Sequence, residues 1–280
     1  MKHLLLLCFF CLAFFVTAQP LHFENNLKAA FEKAKLENKP VFVEYYNSDC
    51  PVCIKVEHLF ENNEKLVLFY NKSFVSYRID THDMSKSDSL FIVNTRLSFT
   101  SIPYFLFFDY NENLLHVSAI NLDADALINI GVVALNPVER SSALANKYNK
   151  GDRSIKTLYA YSQLVQLYNN DSLTTVLAND LYKAFPKNDL GNKKSYTITK
   201  NCVNNIENGF FKFWIKNMDK LAGLESEKHK GEGKQMLAEI VRKSIFDNKS
   251  KSWNPEKIEE VKKYILLTEL SEHPDAFFLK

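Results

Sequence analysis

Cys50 and Cys53 stand in Asp49-Cys50-Pro51-Val52-Cys53, directly after the apolar run Val41-Phe42-Val43-Glu44-Tyr45-Tyr46. Two thiols at this spacing suit two chemistries, disulfide exchange and ligation of a soft metal ion. In exchange the thiolate is the attacking species, and the start of a helix favours it, because unsatisfied N–H groups and the helix dipole stabilise negative charge there. A second thiol one helical turn on can attack the resulting mixed disulfide and release the product. Cys50 is therefore the candidate nucleophile and Cys53 the resolving thiol. Stapling is a poor reason for the pair, since closing so short a loop removes little chain entropy. As metal ligands, Cys50, Cys53, His58 and His82 could make four. Structural zinc sites, however, space their histidines about three to five residues apart, and these two are far outside that range, so the reading assigns no metal. A cysteine hydrolase using His116 would leave the second thiol without a task. Cys202 stands alone and reads as a small apolar residue packed in a helix.

The elements that must position the pair can be read around it. Residues 26–37 carry apolar side chains at near-helical spacing and stop at Asn38-Lys39-Pro40. Residues 41–46 are β-branched and aromatic, which predicts a buried strand. Asn47-Ser48-Asp49 is turn chemistry that doubles as a helix N-cap, Pro51 suits a first helical turn, and the helix is expected to run to about residue 64. Strands are predicted over 74–80 and 104–108, a helix over 84–97, a hairpin return over 114–120 and a helix over 123–135. Strands and helices in alternation, ending in a hairpin, predict an α/β fold with a mixed central sheet and helices on both faces. After Pro137 the strand signal fades. Helices are expected over 138–149, 152–169, 171–185, 190–208, 210–222, 232–247 and 255–270, with residues 228–234 as an exposed loop and no repeat register. The cluster Phe210-Phe211-Lys212-Phe213-Trp214 reads as core packing before it reads as a ligand box.

Together these residues resemble the thioredoxin family. The strand Val41–Tyr46 looks like the family's central strand before its active site. Glu44, six residues before Cys50, stands where thioredoxins carry a buried acid that helps move the proton of the resolving cysteine. Read alone, Glu44 also admits a lesser reading as a solvent-facing carboxylate at a sheet edge. Ser101-Ile102-Pro103 looks like the family's cis-proline loop, so the resemblance implies that Ile102 and Pro103 shape substrate docking. It covers about residues 24–136 and implies a thiol–disulfide oxidoreductase that needs no bound cofactor and passes electrons to or from a dithiol protein. Two departures bear on direction. Asp49 replaces the usual Trp, and a carboxylate beside Cys50 is expected to raise its pKa. Pro51-Val52 lacks the His of several oxidising relatives. Both lean towards a reductase or isomerase.

The rest of the chain sets the context. Of 280 residues 46% are hydrophobic and 24% charged, a globular composition, and about two domains are expected at this length. The formal charge of +2 gives no support for a nucleic-acid partner. No glycine precedes Gly131, which excludes a phosphate-cradling loop in the first half. Residues 4–16 are an unbroken apolar run followed by Val16-Thr17-Ala18, which predicts a signal peptide over 1–18 cleaved after Ala18. Thirteen residues are too few for a bilayer span, which needs about 20. The mature chain is thus expected to be exported, by resemblance to the Gram-negative periplasm, and not integral to a membrane. Its expected domains are a thioredoxin-like one over 19–137 and an all-helical one over 138–280. The competing reading is a binding protein whose helical domain recognises a protein or peptide, with the thioredoxin fold as scaffold.

Overall fold

The computed structural model describes residues 20–99, 101–120, 122–226 and 229–278. The expected leader and its cleavage point lie outside them, as does one residue, Lys228, of the loop expected over 228–234.

Helix α1 (Leu27–Glu37) starts where the Asn26 side chain accepts the Ala29 N–H and ends at Asn38 in the left-handed conformation, φ 50°. Strand β1 (Val41–Tyr46) follows, then α2 (Pro51–Asn62), α3 (Glu64–Ser73), β2 (Val75–Asp80), α4 (Lys86–Thr95), β3 (Tyr104–Phe108), β4 (Leu114–Ala119) and α5 (Ala124–Leu135). The four strands lie in the order β2-β1-β3-β4. β1 runs parallel to β2 and antiparallel to β3, so the sheet is mixed as predicted. With neighbours on both sides, β1 is buried from Val41 to Glu44.

Alternation along the strands assigns the two faces. Phe42 points to one, where its ring meets Phe105 at 4.7 Å, Tyr70 of α3 at 4.9 Å, Phe107 at 5.4 Å and Phe60 of α2 at 6.2 Å. Phe108, one residue out of phase with Phe107, faces the other way and meets Phe31 of α1 at 6.3 Å. Helices therefore cover both faces.

One helix was missing from the expected order. In place of a single helix running from the cysteines to about residue 64, Asn63 leaves the helical conformation (φ −111°, ψ 97°), closes α2 and accepts the Leu66 N–H to start α3. The change of direction lets Leu66, Val67 and Tyr70 reach the sheet core.

The remaining helices are α6 (Leu144–Asn149), α7 (Ile155–Leu167), α8 (Asp171–Ala184), α9 (Lys193–Cys202), α10 (Gly209–Lys216), α11 (Glu232–Phe246) and α12 (Pro255–Leu267). Three are shorter than their sequence signals. The helix expected from residue 138 opens as a 3-10 turn over Ser141–Ala143. The one expected over 190–208 stops at Cys202, ahead of Asn204-Asn205. The one expected over 210–222 stops at Asn217 and gives way to a 3-10 segment, Met218–Leu224.

The chain forms two compact units. The first holds the described residues up to Met84, with Ile102–Asn113 and Ser118–Val132; the second holds Ser85–Ser101, Leu114–Val117 and Val133 onward. The core of the second is built on Leu177, Phe210, Phe211, Trp214, Leu237 and Val261, all fully buried. The aromatic cluster of α10 is thus packing. Among the described residues no helix is long and apolar enough to cross a membrane.

Candidate active site

The segment between β1 and α2 is a tight hydrogen-bonded turn. Cys50 N–H donates to the Asn47 carbonyl at 3.1 Å, and Asp49 N–H donates to the Asn47 side chain at 2.8 Å. Asn47 Nδ2 in turn donates to Thr81 Oγ1, just past β2, and Ser48 N–H donates to Asp80. Two strand ends thereby fix where Cys50 stands. The cap of α2 is Cys50 itself, not the Asn47–Asp49 turn: its sulfur accepts the Cys53 N–H at 3.4 Å, and Pro51 takes the first helical position.

Both thiols are free. Cys50 is partly exposed and Cys53 is buried at 2% exposure, so a partner in solution can meet only the first. Burial, the largest influence on Cys50, pushes its pKa up. Hydrogen bonds from the Cys53 thiol and from the Cys53 and Val52 backbone N–H groups outweigh it and hold the pKa below the ordinary thiol value. Cys53 goes the other way, to about 12, chiefly through burial and also because its proton is held by Cys50. One thiol is poised to ionise, and the other needs help. Iodoacetamide at neutral pH is accordingly expected to modify Cys50 and spare Cys53 in the native protein, with peptide mass spectrometry as the check. Equal labelling of both would contradict the geometry.

The expected effect of Asp49 is not found. Its carboxylate lies at the surface, 3.1 Å from His82 Nδ1, and the Cys50 pKa moves down, not up. The charge is spent on solvent and His82. His58 pairs with Glu61 at 2.9 Å. Neither histidine joins the cysteines, and among the described residues no cluster of three His, Cys, Asp or Glu side chains could hold a metal ion. His116 Nδ1 meets the Ser141 hydroxyl at 2.7 Å, and Cys202 is buried with its pKa pushed to about 12, an inert thiol.

Glu44 lies at the centre of the sheet, not at an edge. It is 1% exposed, and parallel pairing sets it opposite Arg78 on β2. Arg78 Nε donates to Glu44 Oε2 at 3.0 Å, and another guanidinium nitrogen donates to Glu57 Oε1 of α2 at 2.9 Å. Burial raises the Glu44 pKa to about 7, against the opposing pull of Arg78. Its charge is felt at Cys53, whose ionisation it opposes. Sequence reasoning missed Arg78 and Glu57. Glu57 had a signal, because four residues past Cys53 is the same helix face. Arg78 had none, because only the register of β1 against β2 brings it to Glu44.

The Ile102–Pro103 peptide bond is cis. Pro103 is buried, Ile102 is partly exposed, and both lie immediately before β3. The pairing of Tyr104 with Tyr45 puts this loop at the end of the sheet from which β1 leads to Cys50.

A strand, a capping cysteine, a buried acid and a cis-proline loop thus converge at one end of a mixed sheet. Residues 22–109 match the family model described as thioredoxin-like. This segment is a thioredoxin-like domain. No curated protein matches the chain. A Bacteroides thetaiotaomicron protein, known from its solution structure and provisionally described as a disulphide-isomerase, is similar at 17% identity over 41% of this chain and 96% of that one, with a TM-score of 0.32. The thioredoxin-like domain carries Cys50, Cys53, Glu44, Arg78, Ile102 and Pro103 together. A fold of this kind hosts many activities, so function is argued from the dithiol itself.

Proposed function

We propose that the chain is a thiol–disulfide oxidoreductase that works outside the cytoplasm, in a periplasm-like compartment. The observation that carries the reading is the division of labour between the thiols: Cys50 exposed with its pKa held down, Cys53 buried with its pKa pushed up, one helical turn apart. The Cys50 thiolate attacks one sulfur of a substrate disulfide, forming a mixed disulfide and releasing the first substrate thiolate. Cys53 gives its proton to Glu44 and attacks the Cys50 sulfur. The Cys50–Cys53 disulfide forms, the second substrate thiolate leaves, and two electrons have passed to the substrate. A dithiol partner protein returns them. Ile102 and Pro103 form the docking edge for the substrate chain.

The lowered Cys50 pKa alone does not set the direction of electron flow, because the potential depends on both thiols. Pro51-Val52 and the difficulty of ionising Cys53 support a reductase or isomerase over a strong oxidant. The test is Cys53→Ser. That protein is expected to retain an attacking thiol but no resolving one, so disulfide-bonded proteins accumulate on Cys50 as mixed disulfides, visible by non-reducing electrophoresis and lost in Cys50→Ser. If Cys53→Ser captures nothing that Cys50→Ser does not, the domain is a scaffold and the reading fails.

A further inference from the structure

Arg78 does not serve Glu44 alone. Its guanidinium reaches Glu44 with one nitrogen at 3.0 Å and Glu57 with another at 2.9 Å. The three side chains step outward from the interior: Glu44 is 1% exposed, Arg78 25% and Glu57 44%. The guanidinium is held from two further sides, 4.0 Å from the Phe23 ring centre and 5.5 Å from that of Tyr46. Arg78 keeps its proton under all ordinary conditions, so it can tune a neighbour but not relay a proton. A cation shared between two carboxylates stabilises each less than it would stabilise one.

We propose that Glu57 is a positioning residue of the dithiol site: by occupying the second edge of Arg78 it leaves Glu44 only part of its counter-charge, and Glu44 is thereby able to take up the Cys53 proton. The inference rests on the reading of Cys50 and Cys53 as a redox pair. In the step concerned the Cys53 S–H bond breaks, an O–H bond forms on Glu44, and the electron pair left on sulfur attacks Cys50.

The sign follows from the groups around Glu44. Arg78 on β2 favours its carboxylate. Glu57 on α2 opposes it by like charge, and Cys53 on α2 competes with it when ionised. Tyr70 on α3 and Tyr46 on β1 also sense its charge, and Asp80 on β2 acts on Tyr46; the β3 residue paired with Glu44 is the uncharged Phe105. Removing the Glu57 charge removes that repulsion while Arg78 stays in place, so the Glu44 carboxylate is favoured.

The test is a carboxyl-carbon NMR titration of Glu44 in the reduced full-length protein, wild type against Glu57→Gln. Glutamine keeps an oxygen for the Arg78 N–H and loses only the charge. The Glu44 midpoint is expected to fall by about one pH unit, a tenfold loss of proton affinity. An unchanged midpoint overturns the proposal. So does a rise, which would mean that Glu57 merely anchors Arg78. The second arm is the pH profile of mixed-disulfide resolution, whose acid limb is expected to move down with Glu44. A limb that stays while Glu44 moves overturns the role of Glu57 in the reaction. Absence of exchange at every pH in both proteins would instead sink the oxidoreductase reading, and the titration would still decide the electrostatic linkage.

Discussion

Between about pH 4 and pH 8 a Glu44→Gln protein is expected to gain roughly 3 kcal/mol of stability relative to the wild type. In the folded protein burial holds the Glu44 pKa at about 7, against an ordinary 4.5. A carboxyl whose folded pKa is raised contributes stability that is fully present below the unfolded pKa and is lost as pH rises through the folded one. Over that window the unfolded chain ionises freely, while the folded chain must either keep a proton on Glu44 or bury a charge that Arg78 only partly offsets. Glutamine has no such obligation. The comparison of slopes is insensitive to what the amide itself costs, because that cost does not vary with pH. Urea unfolding of both proteins across the window checks it, and parallel stability curves would contradict the burial account. The same variant is expected to resolve mixed disulfides about 100-fold more slowly at neutral pH, the ordinary worth of a positioned base. Cys53, with its pKa near 12, then has no acceptor for its proton. Stability and rate move in opposite directions, as expected where a fold retains a costly buried group for its chemistry.

Phe42→Ala is expected to cost about 4 kcal/mol in the same unfolding experiment, through a lower urea midpoint at unchanged slope. Phe42 is fully buried on the central strand, and its ring is edge-on to both Phe105 and Tyr70. Tyr70 is in turn pinned by its hydroxyl, which donates to the Leu127 carbonyl at 2.8 Å. The surrounding rings are carried by β3, α2 and α3, and Tyr70 is tethered to α5, so the cavity has few ways to collapse. Residual stability of a few kcal/mol leaves little margin after such a loss. A cost below about 1 kcal/mol would show that the cluster repacks.

The strand and the dithiol were legible because each is a local signal. Val41–Tyr46 announces burial by composition, and Cys50 and Cys53 announce chemistry by type and spacing. Glu44 was legible only in part. The alternation of the strand leaves open whether a carboxylate meets solvent or core, and the answer lies in β2 and β3 on either side. Its partner Arg78 sits in a strand recognised by alternation, but no local rule aligns residue 44 with residue 78. Helix α3 was lost for a different reason. Asn63 both ends one helix and caps the next, and an asparagine between two amphipathic stretches reads as easily as a solvent-facing residue within one. The early end of α10 follows the same pattern at Asn217, which also begins the next 3-10 segment, whereas α9 ends at Val203 and α10 is capped by Asn208. The Asp49 expectation failed because proximity in sequence does not settle where a side chain spends its charge.

The burial of Trp214 has a practical corollary. The chain has two tryptophans, and both Trp214 and Trp253 lie in the helical unit. Asp49 occupies the place beside the nucleophile where a thioredoxin would carry one. Tryptophan emission therefore reports on the helices and has no chromophore of its own at the dithiol. Emission that changes when Cys50 and Cys53 are oxidised would be a message sent from one unit and received in the other. Unchanged emission would make the helical unit deaf to the redox state.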